Sequence, residues 1–137
     1  MMKLVWIAAA AGLTMGQCIP SIAQDLGVTP EEINWVENTN LGLSVMLEGN
    51  PSTPGPYVLR IKVPPNNVTM PHTHGNAENV TVISGWIGFG LGTVFDKSKG
   101  RELPAGSFFY LPPNTAHFAW TGAEGAVIQA HGNGPFP

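Results

Sequence analysis

Glycine and proline divide this sequence into short apolar runs, and that spacing limits the folds open to it. The 17 glycines and 13 prolines make up 30 of the 137 residues and are spread along the chain. Apolar runs of about five to nine residues between such turn formers are typical of β-strands and too short for most helices. They predict strands at residues 41–47, 57–63, 68–73, 78–84, 86–94, 107–111, 116–121 and 126–131.

The number of predicted strands indicates an all-β domain. Short strands in a chain of this length favour a closed or double-sheet antiparallel barrel, because that architecture leaves few exposed edges. One short N-terminal helical turn is expected at Thr29-Pro30-Glu31-Glu32, which combines a threonine N-cap, a proline at the first helical position and a capping-box glutamate. The apolar side chains that follow it are expected to pack on the barrel: Ile33, Trp35 and Val36.

The first 23 residues have the order of features of a secretory signal peptide. Lys3 gives a basic start, residues 4–15 are mostly apolar, and Ser21 and Ala23 occupy the small-residue positions before a cleavage site. The apolar run is shorter than the roughly 20 residues that span a bilayer. We therefore expect residues 1–23 to be removed and residues 24–137 to form a single periplasmic or secreted domain without membrane contact. A retained N-terminal anchor is the alternative.

The composition of residues 24–137 excludes some partners. Five Lys and Arg against nine Asp and Glu give this part a formal charge of −4, whereas nucleic-acid binding needs a basic surface. Cys18, the single cysteine, lies in the predicted signal peptide, so the mature chain would have no disulfide. With 43% hydrophobic and only 11% charged residues, the chain can bury a full core.

Three of the four histidines occur in a pattern suited to a metal. His72 and His74 are two residues apart, so on a strand their side chains point to the same face. Glu78 follows after a tight connection, and His117 comes at the start of a later strand. Three imidazoles and one carboxylate suit Fe, Mn, Co, Ni, Cu or Zn. A polar surface would explain the histidine pair alone, but not the two further residues.

These residues also carry a family resemblance. Pro71-His72-Thr73-His74-Gly75-Asn76-Ala77-Glu78, followed by Gly85, resembles the first cupin motif, G-x5-H-x-H-x3-E-x6-G. The segment from Gly106 through Pro112-Pro113-Asn114 to His117 is similar to the second motif, G-x5-P-x-G-x2-H-x3-N. The resemblance implies a single cupin jelly-roll β-barrel that holds one divalent transition metal through His72, His74, Glu78 and His117.

The sequence departs from the cupin motifs at three positions, none of them a metal ligand. Asn66 and Asn114 stand where the motifs have glycine, and Thr121 replaces the closing asparagine. Asparagine tolerates a positive φ better than most residues, so both asparagines are expected in turns of that conformation.

Strand alternation indicates which side chains surround the site. Val80 and Val82 share the strand face of Glu78 and give the site an apolar wall. Parity alone leaves open which pair from the later predicted strand 107–111 joins them, Phe109 and Leu111 or Phe108 and Tyr110.

A retained set of four ligands favours an enzyme, although the cupin fold hosts many functions. Four protein ligands leave one or two positions on the metal for O₂, peroxide or a chelating substrate. We expect an exported oxidoreductase of dioxygenase or oxidase type, with Glu78 as a ligand that can take up a proton. Its substrate would be a small organic acid, phenol or carbohydrate, and copper-dependent oxidation of a polysaccharide also fits export. Copper, iron and manganese are expected before zinc or nickel.

Two other classes of function stay open from the sequence. One is a ligand-binding or sensor cupin in which the metal grips a carboxylate or sugar. The other is a redox-silent sugar-acid isomerase or lyase, for which further acid–base groups are few: Tyr57, Tyr110 and His131. A homodimer is expected only because many cupins form one.

Overall fold

The computed structural model describes residues 27–38 and 42–135, so the predicted signal peptide lies outside the described residues. The chain divides into two compact units at Glu32 and Ile33. In the described part of the first unit, Pro30–Glu32 forms a single 3-10 turn. The Glu32 carboxylate accepts a hydrogen bond from the Thr29 backbone N–H at 2.8 Å, which is the predicted capping contact. Within the described residues, no helix is long and apolar enough to cross a membrane.

The described part of the second unit is an antiparallel β structure, as predicted. Its strands and their bounds are β1 Val36–Asn38, β2 Gly42–Glu48, β3 Gly55–Val63, β4 Val68–His72, β5 Glu78–Leu91, β6 Gly100–Pro104, β7 Phe108–Leu111 and β8 His117–Gly134. One further 3-10 turn, Lys97–Lys99, precedes β6.

Two long strands, β5 and β8, run side by side and connect two layers of the jelly roll. The strand order is β1-β2-β3-β8-β5-β6, with β4 added to β8 and β7 added to β5. One half of β8 pairs with β3 and the other half with β4. In the same way, one half of β5 pairs with β7 and the other with β6. The halves of these strands therefore belong to opposite walls of one barrel-like domain.

The bend in these long strands is made at two glycines that lie between predicted strands. Gly85 lies inside β5 with φ +67°, at a register shift against β8, and Gly125 lies inside β8 with φ +69°. A Cβ on Gly85 would lie 2.3 Å from the Gly125 carbonyl oxygen. The predicted strands 78–84 and 86–94 are thus one strand with a bulge, because a bulge bends a strand without ending it.

The charged segment at residues 97–101, which leads from β5 into β6, is not a simple solvated hairpin tip. Lys97–Lys99 forms a 3-10 turn whose N-cap is Asp96, and Arg101 belongs to β6, which the pattern of apolar residues did not reveal. The Lys97 ammonium lies 5.8 Å from the centroid of the Trp120 ring. This loop therefore packs over the outer face of β8.

The aromatic residues next to His117 in the sequence form a cluster on the outer face of β8. Phe118 is fully buried and Trp120 nearly so. Phe95 packs edge-on against Phe118 at 5.2 Å, and a Cβ on Gly88 would lie 1.9 Å from the Trp120 ring. Trp120 is therefore a packing residue and has no exposed face on which a sugar ring would stack.

Thr121, where the cupin motif has asparagine, connects β8 to the start of β4. Its hydroxyl donates to the Pro64 carbonyl at 2.6 Å and accepts from the Asn67 N–H at 3.0 Å, and the residue is 4% exposed. Thr121→Val keeps the shape but leaves both partners unsatisfied, so we expect it to lower the free energy of unfolding by about 1–3 kcal/mol.

Chemical denaturation of the purified protein measures this effect. Thr121→Ser, which keeps the hydroxyl, is the matched control and is expected to lose less than Thr121→Val. A valine variant as stable as the serine variant would contradict the assigned role of the hydroxyl.

Candidate metal centre

Three histidines meet at one end of the barrel. His72 is the last residue of β4, His117 is the first of β8, and their Cα positions are paired across the two strands. His74 lies in the loop that connects β4 to β5, beyond the strand end rather than on it. The ring centroids are 4.3–4.9 Å apart, and one ring nitrogen from each histidine lies within 4.8 Å of the others.

Backbone carbonyls fix the orientation of two of the imidazole rings. His72 Nδ1 lies 2.8 Å from the Met70 carbonyl oxygen, and His117 Nδ1 lies 2.9 Å from that of Thr115. A carbonyl oxygen can only accept, so Nδ1 carries the proton in both rings. In the neutral ring the lone pair is then on Nε2, which is the arrangement of a histidine held ready for a metal.

Glu78 contacts the cluster through His74. It is the first residue of β5, and its Oε2 lies 3.4 Å from His74 Nδ1. The three converging ring nitrogens belong to His72, His74 and His117, so the structure groups three of the four predicted ligands directly. The fourth lies next to one of them, where it can orient the His74 ring or share in binding an ion.

The environment of His117 favours its neutral imidazole form. Burial lowers the pKa of His117 below its ordinary value, and the neighbouring His72 and His74 lower it further, against the opposing effect of the hydrogen bond to Thr115. A lowered pKa keeps the ring unprotonated to lower pH, and an unprotonated ring is the form that binds a metal.

A tyrosine near Glu78 stays protonated. Burial, and to a lesser extent the charge of Glu78, raises the pKa of Tyr57 to about 12. Tyr57 was a sequence candidate for acid–base chemistry; in this environment it is a phenol at neutral pH and does not serve as a base.

The two motif loops are joined by a backbone hydrogen bond. The Asn114 N–H donates to the His74 carbonyl at 2.7 Å, and Asn114 has φ +58°. Asn66 has φ +53°, so both asparagines adopt the turn conformation predicted from their motif positions. Asn76, in the His74 loop, donates to the carbonyls of Asn133 and Pro135. Sequence reasoning missed this support, because the partners are far apart along the chain.

The histidines face a largely apolar cavity between the barrel walls, which we call the inner cavity. Its volume is about 130 Å³, and its lining includes Ile61, Val80, Phe89, Phe109 and Ile128 beside the three histidines and Glu78. The Phe89 and Phe109 rings stack at 4.4 Å across the two walls. Among the described residues that line this cavity, none is lysine or arginine.

The structure also shows which side chains of β7 and β8 line the inner cavity and which lie on the outer surface. Phe109 and Leu111 line the inner cavity, whereas Phe108 and Tyr110 are more than half exposed on the other face. His131 pairs with Asn79 and Val58 on that same outer face and is not part of the cavity wall. Strand alternation left two pairs open as cavity lining, and the structure shows that the pair is Phe109 and Leu111.

Comparison with known families agrees with this geometry. The family described as the ChrR cupin-like domain matches residues 23–137, most of the chain. The chain belongs to the ChrR cupin-like family. No curated protein gives a significant match to this cupin.

Solved structures share the fold of this ChrR cupin-like protein at low sequence identity. The polyketide cyclase RemF from Streptomyces resistomycificus superposes with a TM-score of 0.67 and 20% identity, over 81% of this chain and 80% of that one. An RmlC-like cupin from Shewanella frigidimarina gives a TM-score of 0.60 and 19% identity, over 77% and 87%. KdgF from a Halomonas species gives 0.58 and 20%, over 76% and 89%. At these identities the likeness shows the cupin fold alone.

Proposed function

We propose that this cupin is a mononuclear metalloenzyme that uses O₂ to oxidise a small phenol. His72, His74 and His117 would hold one divalent transition metal, with Glu78 as a fourth ligand or as the partner of His74. The observation that carries the proposal is the convergence of three imidazole nitrogens within 4.8 Å beside a mostly apolar cavity.

The donor set fits such an ion. Two of the rings are oriented by Nδ1–H bonds to backbone carbonyls, which leaves Nε2 as the metal-binding atom of the neutral ring, and an imidazole-rich set suits copper, iron, manganese, nickel and zinc. When bound, copper, iron or manganese would supply one-electron chemistry and a binding position for O₂, which zinc does not. We therefore place copper, iron and manganese before zinc and nickel.

The lining of the cavity supports a phenol over the other substrates considered from the sequence. A small organic acid would be expected to meet a cationic side chain, and the described lining contains none. A carbohydrate needs several hydrogen-bonding groups, whereas this lining is mostly aliphatic and aromatic. A phenol combines an apolar ring with the one hydroxyl that a metal and a carboxylate would bind.

In this proposal Glu78 would be the catalytic proton acceptor. Its carboxylate lies at the border of the inner cavity and within 3.4 Å of His74. The carboxylate would accept the proton of the substrate hydroxyl, and His74 would hold the carboxylate in place. The surrounding apolar side chains would exclude water and strengthen both interactions.

Metal content and oxygen uptake test this function together. Protein recovered without an affinity tag is expected to contain about one equivalent of copper, iron or manganese, and to consume O₂ when phenols are added. Glu78→Gln is expected to retain more metal than a variant that lacks an imidazole, and to lower the turnover rate by about 10²-fold or more. A metal-loaded protein that consumes no O₂ with any phenol would contradict the proposal.

The same site offers a second function, a redox-silent lyase or isomerase. Glu78 can accept a proton from carbon as well as from oxygen, and this needs no redox metal. Conversion of a substrate under strict exclusion of O₂, with zinc or nickel bound, would favour this alternative. Binding without turnover in either test would favour a sensor or ligand-binding role.

The place of action and the assembly are also proposals. We propose that residues 1–23 direct export and that the mature domain acts in the periplasm or outside the cell, on a small molecule. A homodimer is proposed only by analogy with other cupins.

A further inference from the structure

A second cavity lies on the other side of the His74–Glu78 pair. Its volume is about 640 Å³, and we call it the outer chamber. It shares Ile61, His74 and Glu78 with the inner cavity. Its other walls come from the first three strands and include Val36, Ser44, Met46, Tyr57 and Leu59.

The outer chamber exists because β1 and β2 extend the barrel wall beyond the inner core. Ser44 is paired with Val36 on one side and with Ile61 on the other, so these residues share one sheet face. On that face Val36 is 64% exposed and Met46 39% exposed, whereas Tyr57 is 2% exposed. The chamber is thus open and mostly apolar along its outer side, where Ser44 is the polar residue of the lining, and becomes more polar towards Tyr57, His74 and Glu78.

The two volumes limit what each cavity can hold. An apolar cavity of about 150 Å³ accommodates benzene or xenon, so the inner cavity is too small for a molecule of two fused rings. The outer chamber lies within the roughly 300–1,000 Å³ typical of sites for organic ligands. A substrate larger than a single ring would therefore have to bind in the outer chamber, with its reactive end towards the His74–Glu78 pair.

The charged and polar side chains of the outer chamber determine which ligand charge it can accept. Among the described residues that line it there is no lysine or arginine, and Glu78 disfavours an anion. Arg60, which belongs to β3 but does not line the chamber, is bonded to Gln129 instead. Ser44 and Tyr57 are the hydroxyl side chains of the lining, too few for a sugar.

We propose that the outer chamber binds phenols too large for the inner cavity, neutral aromatic alcohols with fused or extended rings, whose hydroxyl reaches Glu78. The inner cavity then remains available for a small molecule such as O₂. This inference rests on the proposed function for the identity of the reaction, but the binding site itself can be tested without turnover.

Calorimetric titration of the metal-free protein with naphthol, under nitrogen, provides the test. Naphthoate, which has the same rings and a negative charge, is the ligand control. Naphthol is expected to bind, and naphthoate to bind at least about tenfold more weakly, because its charge faces Glu78. Met46→Trp and Val36→Trp would fill the chamber from its open side and are each expected to weaken naphthol binding by about tenfold or more.

Leu43→Trp is the matched protein control. Leu43 is 36% exposed and lies on the same strand as Met46, but it does not line the outer chamber. We expect this variant to bind naphthol as the unmodified protein does. The inference is overturned if naphthol does not bind, if naphthoate binds equally well, or if Met46→Trp and Val36→Trp bind as tightly as Leu43→Trp. Failure of O₂ uptake with intact naphthol binding would reject the proposed oxidation and leave the binding site standing.

Discussion

The His117→Ala variant is expected to be purified with less than about a tenth of an equivalent of metal, whereas the unmodified protein retains about one. His117 is buried, is paired with His72 across β4 and β8, and contributes one of the three converging ring nitrogens. Removing a residue that only hydrogen-bonds to a metal ligand costs about 10–100-fold in metal affinity. Loss of the ligand itself should cost more. Elemental analysis after dialysis measures the difference.

His131→Ala is the matched control for this experiment. His131 is a histidine of the same strand, but it lies on the outer face and outside the inner cavity. Its replacement is expected to leave metal content unchanged. If His117→Ala folds, as judged by circular dichroism, and still binds one equivalent, the three-histidine assignment is wrong.

Gly85→Ala is expected to lower the free energy of unfolding by about 2–5 kcal/mol, enough to leave a domain of this size barely folded. Two effects add at this position. Gly85 has φ +67°, which disfavours a side chain, and the added Cβ would lie 2.3 Å from the Gly125 carbonyl oxygen. That oxygen belongs to the backbone of the paired strand, so it cannot move without disturbing the bend of β8. Denaturant titration measures the loss.

Gly106→Ala separates the two effects. Gly106 also has a positive φ, +87°, but a Cβ there would meet no atom within 4 Å. Its replacement is expected to cost about 1–2 kcal/mol, from backbone conformation alone. Equal losses at Gly85 and Gly106 would mean that the contact between β5 and β8 contributes nothing, and that the bend tolerates a side chain.

The sequence allowed the three-histidine cluster to be predicted, but not how each ring is held. The spacing of His72 and His74, with His117 at a second motif, predicted a three-imidazole cluster, because strand geometry brings such residues together. The position of His74 beyond the end of β4, and its contacts with Asn114 and Glu78, depend on how two distant loops meet. No local pattern contains that information.

Strand boundaries were hardest to predict where a strand bends at a bulge and does not end in a turn. Gly85 looked like the end of a strand, because glycine is common in turns, but the partner strand continues past it and makes a bulge instead.

The face of β7 could not be chosen from alternation alone. It is decided by Phe89 on the opposite wall, whose ring stacks on Phe109. The outer chamber could not be predicted either, since its walls come from segments that are far apart in the sequence.

The pairing of His72 with His117 also has a consequence for the order of events during folding. The two residues are 45 positions apart in the sequence, and their rings approach only after β8 has docked on β4. Closing so long a loop comes late compared with local contacts, so the unfolded chain offers no preformed site. If the protein holds a metal as proposed, the ion would be selected where folding finishes, by the metals present in that compartment. Protein refolded from denaturant should accordingly carry whichever metal the refolding buffer supplies.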